Sequence, residues 1–299
     1  MNPFVEHDRG LGTAYERYCF YQLVERWASE LGVETALEGP VDGMAGVPGV
    51  HLVGVARRGV RVVSAVPSEK QAEVTRGVYA RAGAEAEVRV VSSVDDVASL
   101  PKSDLVIVYH ALSFVPDWEG YLRTMATLAK RAMVVAVVNP DNWGVTAMRY
   151  IGKLRGMTGF DPPSQWRTET LAPVLWSIGR VREHTYFDAP WWPDLPGLSA
   201  GQSVTNRLKQ IVTSQKSEVS FTAGEKMVGL SGKYVYGKDR WPYFGGDGWH
   251  EELLPALLTH PTFEAAKPNV RSRTAHLHAF LVDVTPRTPQ ARRRLKTAP

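Results

Sequence analysis

The sequence predicts an α/β protein built on a doubly wound, mostly parallel sheet with helices on both faces. An irregular, Trp-rich insertion is expected before the last strand. Three observations carry this. Apolar, β-branched runs at 60–66, 104–109 and 132–138 lack the polar alternation of a sheet with one wet face. Segments with helical spacing separate them. A glycine-rich turn, Glu38-Gly39-Pro40-Val41-Asp42-Gly43-Met44-Ala45-Gly46, directly follows the first short strand, where such sheets bind ligands.

Residues 13–31 place Tyr15, Tyr18, Cys19, Leu23, Trp27 and Leu31 at steps of three and four, which predicts an amphipathic helix stopped by Gly32. Thr35-Ala36-Leu37-Glu38 reads as a short buried strand. After the turn, 50–59 reads as one short helix, and 60–66 as the second strand, ended by Pro67-Ser68. Ser68 is the expected N-cap of a helix from Glu69 to Ala82, closed by Gly83. Strands are expected at 87–91, 104–109 and 132–138, with a weak helix near Asp95–Ala98 and a longer one over 118–131. Right-handed crossovers then give one wound layer.

From about 141 the alternation gives way to segments dense in Pro, Gly and Trp, such as Pro190-Trp191-Trp192-Pro193 and Trp241-Pro242-Tyr243-Phe244-Gly245-Gly246. Two strand candidates remain, 181–187 and 275–282. The expected organisation is a helical cap at 1–32, a core at 33–190, an insertion at 191–270, the final core strand at 271–285 and a basic tail at 286–299.

Composition narrows the function classes. The chain has 299 residues, 44% of them hydrophobic and 22% charged, ordinary for a globular protein with a substantial core. No apolar run reaches membrane-spanning length and the first residues lack a signal-peptide pattern, so a cytoplasmic location without membrane attachment is expected. The net charge of +4 owes much to Arg287, Arg292, Arg293, Arg294 and Lys296 in the tail, and without a recognition motif sequence-specific nucleic-acid binding is not expected. A single cysteine, Cys19, excludes an intramolecular disulfide. His276 and His278 lie two apart, but no HExxH spacing joins them to His250 or His260, and no metal is expected.

Two motifs point further. Leu37-Glu38-Gly39-Pro40-Val41-Asp42-Gly43 puts an acidic residue and spaced glycines after the first strand. Leu100-Pro101-Lys102-Ser103-Asp104, followed by an apolar run to Tyr109-His110-Ala111-Leu112 and by Pro116-Asp117, surrounds the fourth. With five alternating strands and a late pair, this pattern resembles the class I S-adenosylmethionine-dependent methyltransferases, type 11-like, over roughly residues 33–140. The resemblance implies S-adenosylmethionine as cofactor and in-line methyl transfer to a small molecule. Glu38 would orient the cofactor's amino-acid end, Gly39, Gly43 and Gly46 would let backbone approach it, and Asp95 or Asp96 would accept from the adenine amino group. Two positions depart from the family's pattern. Val66 stands where a carboxylate usually pairs with the ribose hydroxyls, leaving Ser64, Ser68 or a neighbouring loop for that role, and Pro40 and Asp42 replace expected glycines.

His110, at the end of the fourth strand, is the candidate base or substrate-orienting group. Tyr15, Tyr18, Asn139, Asn142 and Trp143 are candidates for the substrate side. Each has a plainer structural role open to it: a turn brace for Glu38, helix caps for Asp95 and Asp96, a backbone-bonded ring for His110, core packing for the tyrosines, loop capping for Asn139 and Asn142. A nicotinamide dehydrogenase would need G-x-G-x-x-G after the first strand and an acid after the second, and neither is present. The competing function is a catalytically inactive methyltransferase-like protein that binds a ligand or docks a partner.

Overall fold

The computed structural model describes residues 11–40, 47–93, 95–154, 163–190 and 262–285. Gly43, Gly46, Trp191, Trp192, Trp241, Trp249, His250, His260 and the basic tail lie outside them. In chain order the elements are α1 (Leu11–Leu31), β1 (Thr35–Glu38), α2 (Val53–Arg57), β2 (Arg61–Val66), α3 (Glu69–Arg81), β3 (Glu87–Val90), β4 (Ser103–Tyr109), α4 (Trp118–Leu128) and β5 (Ala129–Val138). Then come α5 (Trp143–Leu154), α6 (Thr168–Ile178), β6 (Arg180–Phe187), α7 (Pro268–Thr274) and β7 (Leu277–Asp283).

Among the described residues the strands form one sheet, ordered β3-β2-β1-β4-β5-β7-β6. β7 runs antiparallel to both β5 and β6, and the other pairings are parallel. The doubly wound fold expected from the sequence is therefore present. All seven residues of β4 and the last seven of β5 are buried, so side chains on both faces of these central strands are covered. The chain winds outward from β1 to β3 and returns to β4 beside β1, so the order reverses between β1 and β4. Asp104 fixes that pair at the amino edge, accepting from the Glu34 and Thr35 N–H groups at 3.0 and 3.1 Å while its own N–H donates to Thr35 Oγ1 at 2.9 Å.

Local signals set most boundaries. Ser68 caps α3 by accepting from the Gln71 N–H at 3.3 Å, and Gly83 follows the helix with φ +64°. Other boundaries differ from expectation. α4 ends at Leu128 rather than 131, because β5 starts at Ala129 in register with Ser103. The helix expected over 50–59 is only Val53–Arg57. The stretch read as irregular holds α5 and α6. Pro173 inside α6 disguises it, whereas α5 opens at Asn142, whose Oδ1 accepts from the Gly144 N–H at 2.8 Å. The buried residues of α1 are Tyr15, Arg17, Phe20, Tyr21, Val24, Glu25, Trp27 and Ala28, whereas Tyr18, Cys19, Leu23 and Leu31 are half-buried at its margin.

Candidate functional site

β1, β2, β4, β5 and β6 all end at the same edge, and the crevice between β1 and β4 opens there. In doubly wound sheets this is where ligands bind. Glu38, the last residue of β1, is fully buried at this point. Its carboxyl accepts from the His51 main-chain N–H at 2.9 Å and from the His51 ring Nδ1, and the Gly49 and Leu52 N–H groups also bond to it. Arg17 of α1, likewise without exposed surface, donates to His51 Nε2. A guanidinium can only donate, so Nε2 accepts and the neutral ring carries its proton on Nδ1, facing Glu38. Burial lowers the His51 pKa, reinforced by the Arg17 charge, in keeping with that neutral form. Burial pushes Glu38 up to about 8, against Arg17 and the loop N–H groups that favour its charged form.

Aromatic rings continue the site along β4. His51 stacks on Tyr109 with centroids 3.8 Å apart, and Arg17 lies over the same ring at 5.9 Å. The Tyr109 hydroxyl bonds to Glu16, and Phe20 packs on Tyr109 at 4.6 Å and on Phe187 at 5.5 Å. α1 thus crosses the carboxyl edge from β1 to β6. His110 follows Tyr109 with φ 53°, in the left-handed region, and its N–H donates to Ala136 O at 2.9 Å. Burial, with the neighbouring His51 and Arg17, brings its pKa down to about 3, so its ring is neutral at neutral pH.

The β2 end is built differently. Val66 is fully buried, and Ser64 Oγ is spent on Gly49 O at 2.5 Å. Thr75 Oγ1 donates to Pro48 O at 2.8 Å, so β2 and α3 together hold the chain as it returns from the glycine-rich turn. Gly49 has φ +72°, and a Cβ there would lie 2.5 Å from Ser64 Oγ and 3.1 Å from Val66 Cγ1. Ser68 exchanges hydrogen bonds with Gln71.

The remaining expected residues separate into groups. Gly39 extends β1 through its N–H to Ile107 O at 2.9 Å, and a Cβ there would meet Met125 and Tyr121 of α4 at 2.6 and 2.7 Å. Its lack of a side chain therefore serves helix packing. Asp95 and Asp96 lie in a 3-10 turn after β3, where Asp96 is exposed and its N–H donates to Ser93 Oγ at 3.2 Å. Tyr15 is buried and Tyr18 half-buried on α1. Asn139 donates to Ser272 O and Ala275 O, both at 2.8 Å, and Asn142 donates to Thr274 O and Ala275 O at 2.9 and 3.1 Å. Both amides are spent tying the β5 loop to the α7–β7 corner. Trp143 is 45% exposed at the start of α5.

Arg17, His51, Tyr109 and Asp188 also belong to this edge, and sequence reasoning misses them. The available signal is a charged or polar residue inside an apolar helix stripe or run, as in Tyr18-Cys19-Phe20 after Arg17 and in Val50-His51-Leu52. Asp188, just past β6, shares with His110 a left-handed backbone, φ 57°.

No family model matches this chain, and no curated protein matches it. Solved structures do. Magnesium protoporphyrin IX methyltransferase from Synechocystis PCC 6803 with bound SAH is 19% identical, covering 58% of this chain and 78% of that one with a TM-score of 0.44. The N-terminal domain of EvdMO1 with SAH bound is 18% identical over 42% of this chain and 50% of that one, with a TM-score of 0.34. The [4+2]-cyclase SpnF is 15% identical over 56% and 60%, with a TM-score of 0.38. The fold assignment rests on the strand order among the described residues, with β7 antiparallel to its neighbours, the Rossmann-like arrangement that the sequence resemblance implied.

Proposed function

We propose that the carboxyl edge binds S-adenosylmethionine and that the protein is a methyltransferase acting on a small molecule. One observation carries this reading. Among the described residues the two non-glycine positions with left-handed backbone, His110 and Asp188, both come directly after strands at this edge. Buried His51 and Arg17 stand near enough to the first of them to lower its pKa, and buried Glu38 bonds to His51. Backbone strain and buried ionisable groups both cost stability, and their coincidence at the ligand edge of a wound sheet marks a functional site.

The cofactor's chemical needs are met in part. Glu38 braces residues 49–52, where the chain returns from the glycine-rich turn to the end of β1. Neutral His110 offers a hydrogen-bonding ring for orienting an acceptor, with little capacity to store a proton. β2 offers no carboxylate for the ribose, since Val66 is apolar, and the buried Ser64 hydroxyl donates to Gly49 O. When bound, the cofactor supplies an electrophilic methyl group, and this chain's contribution is positioning.

Val66 and the internally satisfied Glu38 favour a second reading, a methyltransferase-like protein that binds without catalysing. Incubation with methyl-labelled S-adenosylmethionine and a pool of small molecules separates the two. Label appearing in the small-molecule fraction supports the enzyme. Saturable binding with no transfer to any acceptor class would leave only the second reading.

A further inference from the structure

We infer that the carboxyl end of β6 is a binding site for the ammonium group of a small molecule, with Asp188 as its receptor and Glu264 beside it. This names the substrate class for the function proposed above, and it rests on that reading only for the chemistry after binding.

Asp188 is the first residue beyond β6, and its side chain is 3% exposed. Oδ2 accepts from His276 Nδ1 at 3.0 Å, while Oδ1 is sealed from solvent without any hydrogen-bond partner. An ionised carboxyl oxygen buried in this way costs free energy until a donor reaches it, and a cationic donor compensates best. The Asp188 backbone is held left-handed between its own carbonyl, which accepts from the His276 N–H at 2.8 Å, and the Phe263 N–H, which donates to Ala189 O at 2.7 Å. The side chain is therefore placed by a fixed frame on both sides.

A second carboxyl, Glu264, lies beside it, with the Arg271 guanidinium near enough for its charge to favour ionised Glu264. Glu264 accepts from the Ala189 N–H at 2.5 Å and from Cys19 Sγ at 3.6 Å. Burial, and then the Asp188 charge, push the Glu264 carboxyl up against the Ala189 N–H. Burial and the same two carboxyls raise the Cys19 thiol, and burial, Cys19 and Glu264 raise the Tyr15 phenol. Arg271 gives Nη1 to the main-chain oxygen of Glu264 at 3.3 Å. Cys19 and Glu264 are half-buried, and the residues next to Cys19 and Asp188 in the chain, Phe20 and Phe187, are buried and pack on each other at 5.5 Å. Two carboxyls, a neutral phenol and thiol, and the neighbouring Phe20 and Phe187 rings suit an amine on a hydrophobic body, with Arg271 Nη1 bonded to the Glu264 main chain.

The probes are 2-phenylethylammonium, 2-phenylethanol and phenylacetate, titrated into the full chain at matched ionic strength and followed by ligand-observed NMR. Saturable binding of the ammonium alone is expected. Asp188→Asn keeps the shape, and asparagine tolerates the left-handed backbone. It should weaken ammonium binding at least about tenfold, with the melting temperature unchanged or raised. Glu264→Gln, which keeps the acceptor for Ala189, should weaken binding less. Equal binding of the three probes, or full ammonium affinity in Asp188→Asn, would overturn the site. Titration of the same samples with S-adenosylhomocysteine separates this failure from the other. Loss of S-adenosylhomocysteine binding with ammonium binding intact contradicts the methyltransferase reading and leaves the site standing, and the converse overturns the site alone.

Discussion

His51 and Glu38 are joined twice, once through the His51 main-chain N–H at 2.9 Å and once through its ring, while Arg17 holds the far side of the same ring. The carboxyl at the end of β1 therefore acts first on its own chain, closing residues 49–52 over the strand. Removing the ring leaves a buried carboxyl and a buried guanidinium facing a void. We expect His51→Ala to lower stability by about 3–5 kcal/mol and Glu38→Gln, which keeps shape and acceptor, by about 1–3 kcal/mol. Urea unfolding measures both. A His51→Ala loss no larger than that of an exposed control substitution would contradict the assignment.

Gly49 and Gly59 both have positive φ, but only Gly49 is hemmed in, by Ser64, Val66 and Thr75. Nothing lies within 4 Å of a Cβ at Gly59. Alanine at Gly59 should cost about 1 kcal/mol for backbone strain, and alanine at Gly49 about 1–3 kcal/mol more for the added clash. Ser64→Ala in the Gly49→Ala background should recover part of that excess. Equal destabilisation at the two glycines would show that the loop return is not packed on β2 as described.

The sheet was legible because burial on both faces writes itself into sequence as unbroken Val and Ile runs, as in Leu105–Val108. The helix ends marked by Ser68 and Gly83 were legible through capping chemistry. The stripe of α1 was not. An aromatic at every third or fourth position fits two adjacent faces of a helix, and the face chosen by tertiary contact carries Arg17, which apolar counting skips. Glu38 could be found from its place after a strand, but its partner could not. His51 lies 13 residues away, and only the folded return of the loop brings it back. Asn139 and Asn142 were recognised as loop residues, but the carbonyls they serve lie more than 130 residues on.

Those asparagines make a prediction of their own. Both donate to Ala275 O, so they act as one clamp. Asn139→Ala should lower stability by about 2 kcal/mol. In a double-mutant cycle the loss on adding Asn142→Ala should fall short of additive by about 0.5 kcal/mol or more. S-Adenosylhomocysteine binding should be unchanged in the single variants. A selective binding defect at full stability would move these residues from clamp to site.

Acid should unfold the protein through its buried histidines. Burial holds His110 and His278 at about 3, with His51 and Arg17 adding to the first and His184 to the second. Unfolded histidine titrates near 6.5. Each unfolded histidine therefore binds more protons than its folded counterpart below that value, so the histidines' contribution to stability is full above about pH 6.5 and is lost as pH drops towards 3, whereas Glu38, raised to about 8, acts in the opposite sense as pH rises. His278 accepts from His184 at 3.0 Å and donates to Trp166 O at 2.8 Å, so glutamine there keeps a polar side chain without the titration. At pH 5, proton uptake on unfolding should be smaller by about one proton in His278→Gln than in the parent. Equal uptake would mean that His278 is not held neutral by the fold.

Binding of the cofactor at the carboxyl edge is tested most directly by calorimetric titration of the full chain with S-adenosylmethionine and S-adenosylhomocysteine. We expect one saturable site for each, with a dissociation constant below about 100 μM, and at least about tenfold weaker binding when His51→Ala releases the loop that Glu38 holds. Absence of heat from either compound at millimolar ligand, with folded protein, would contradict it.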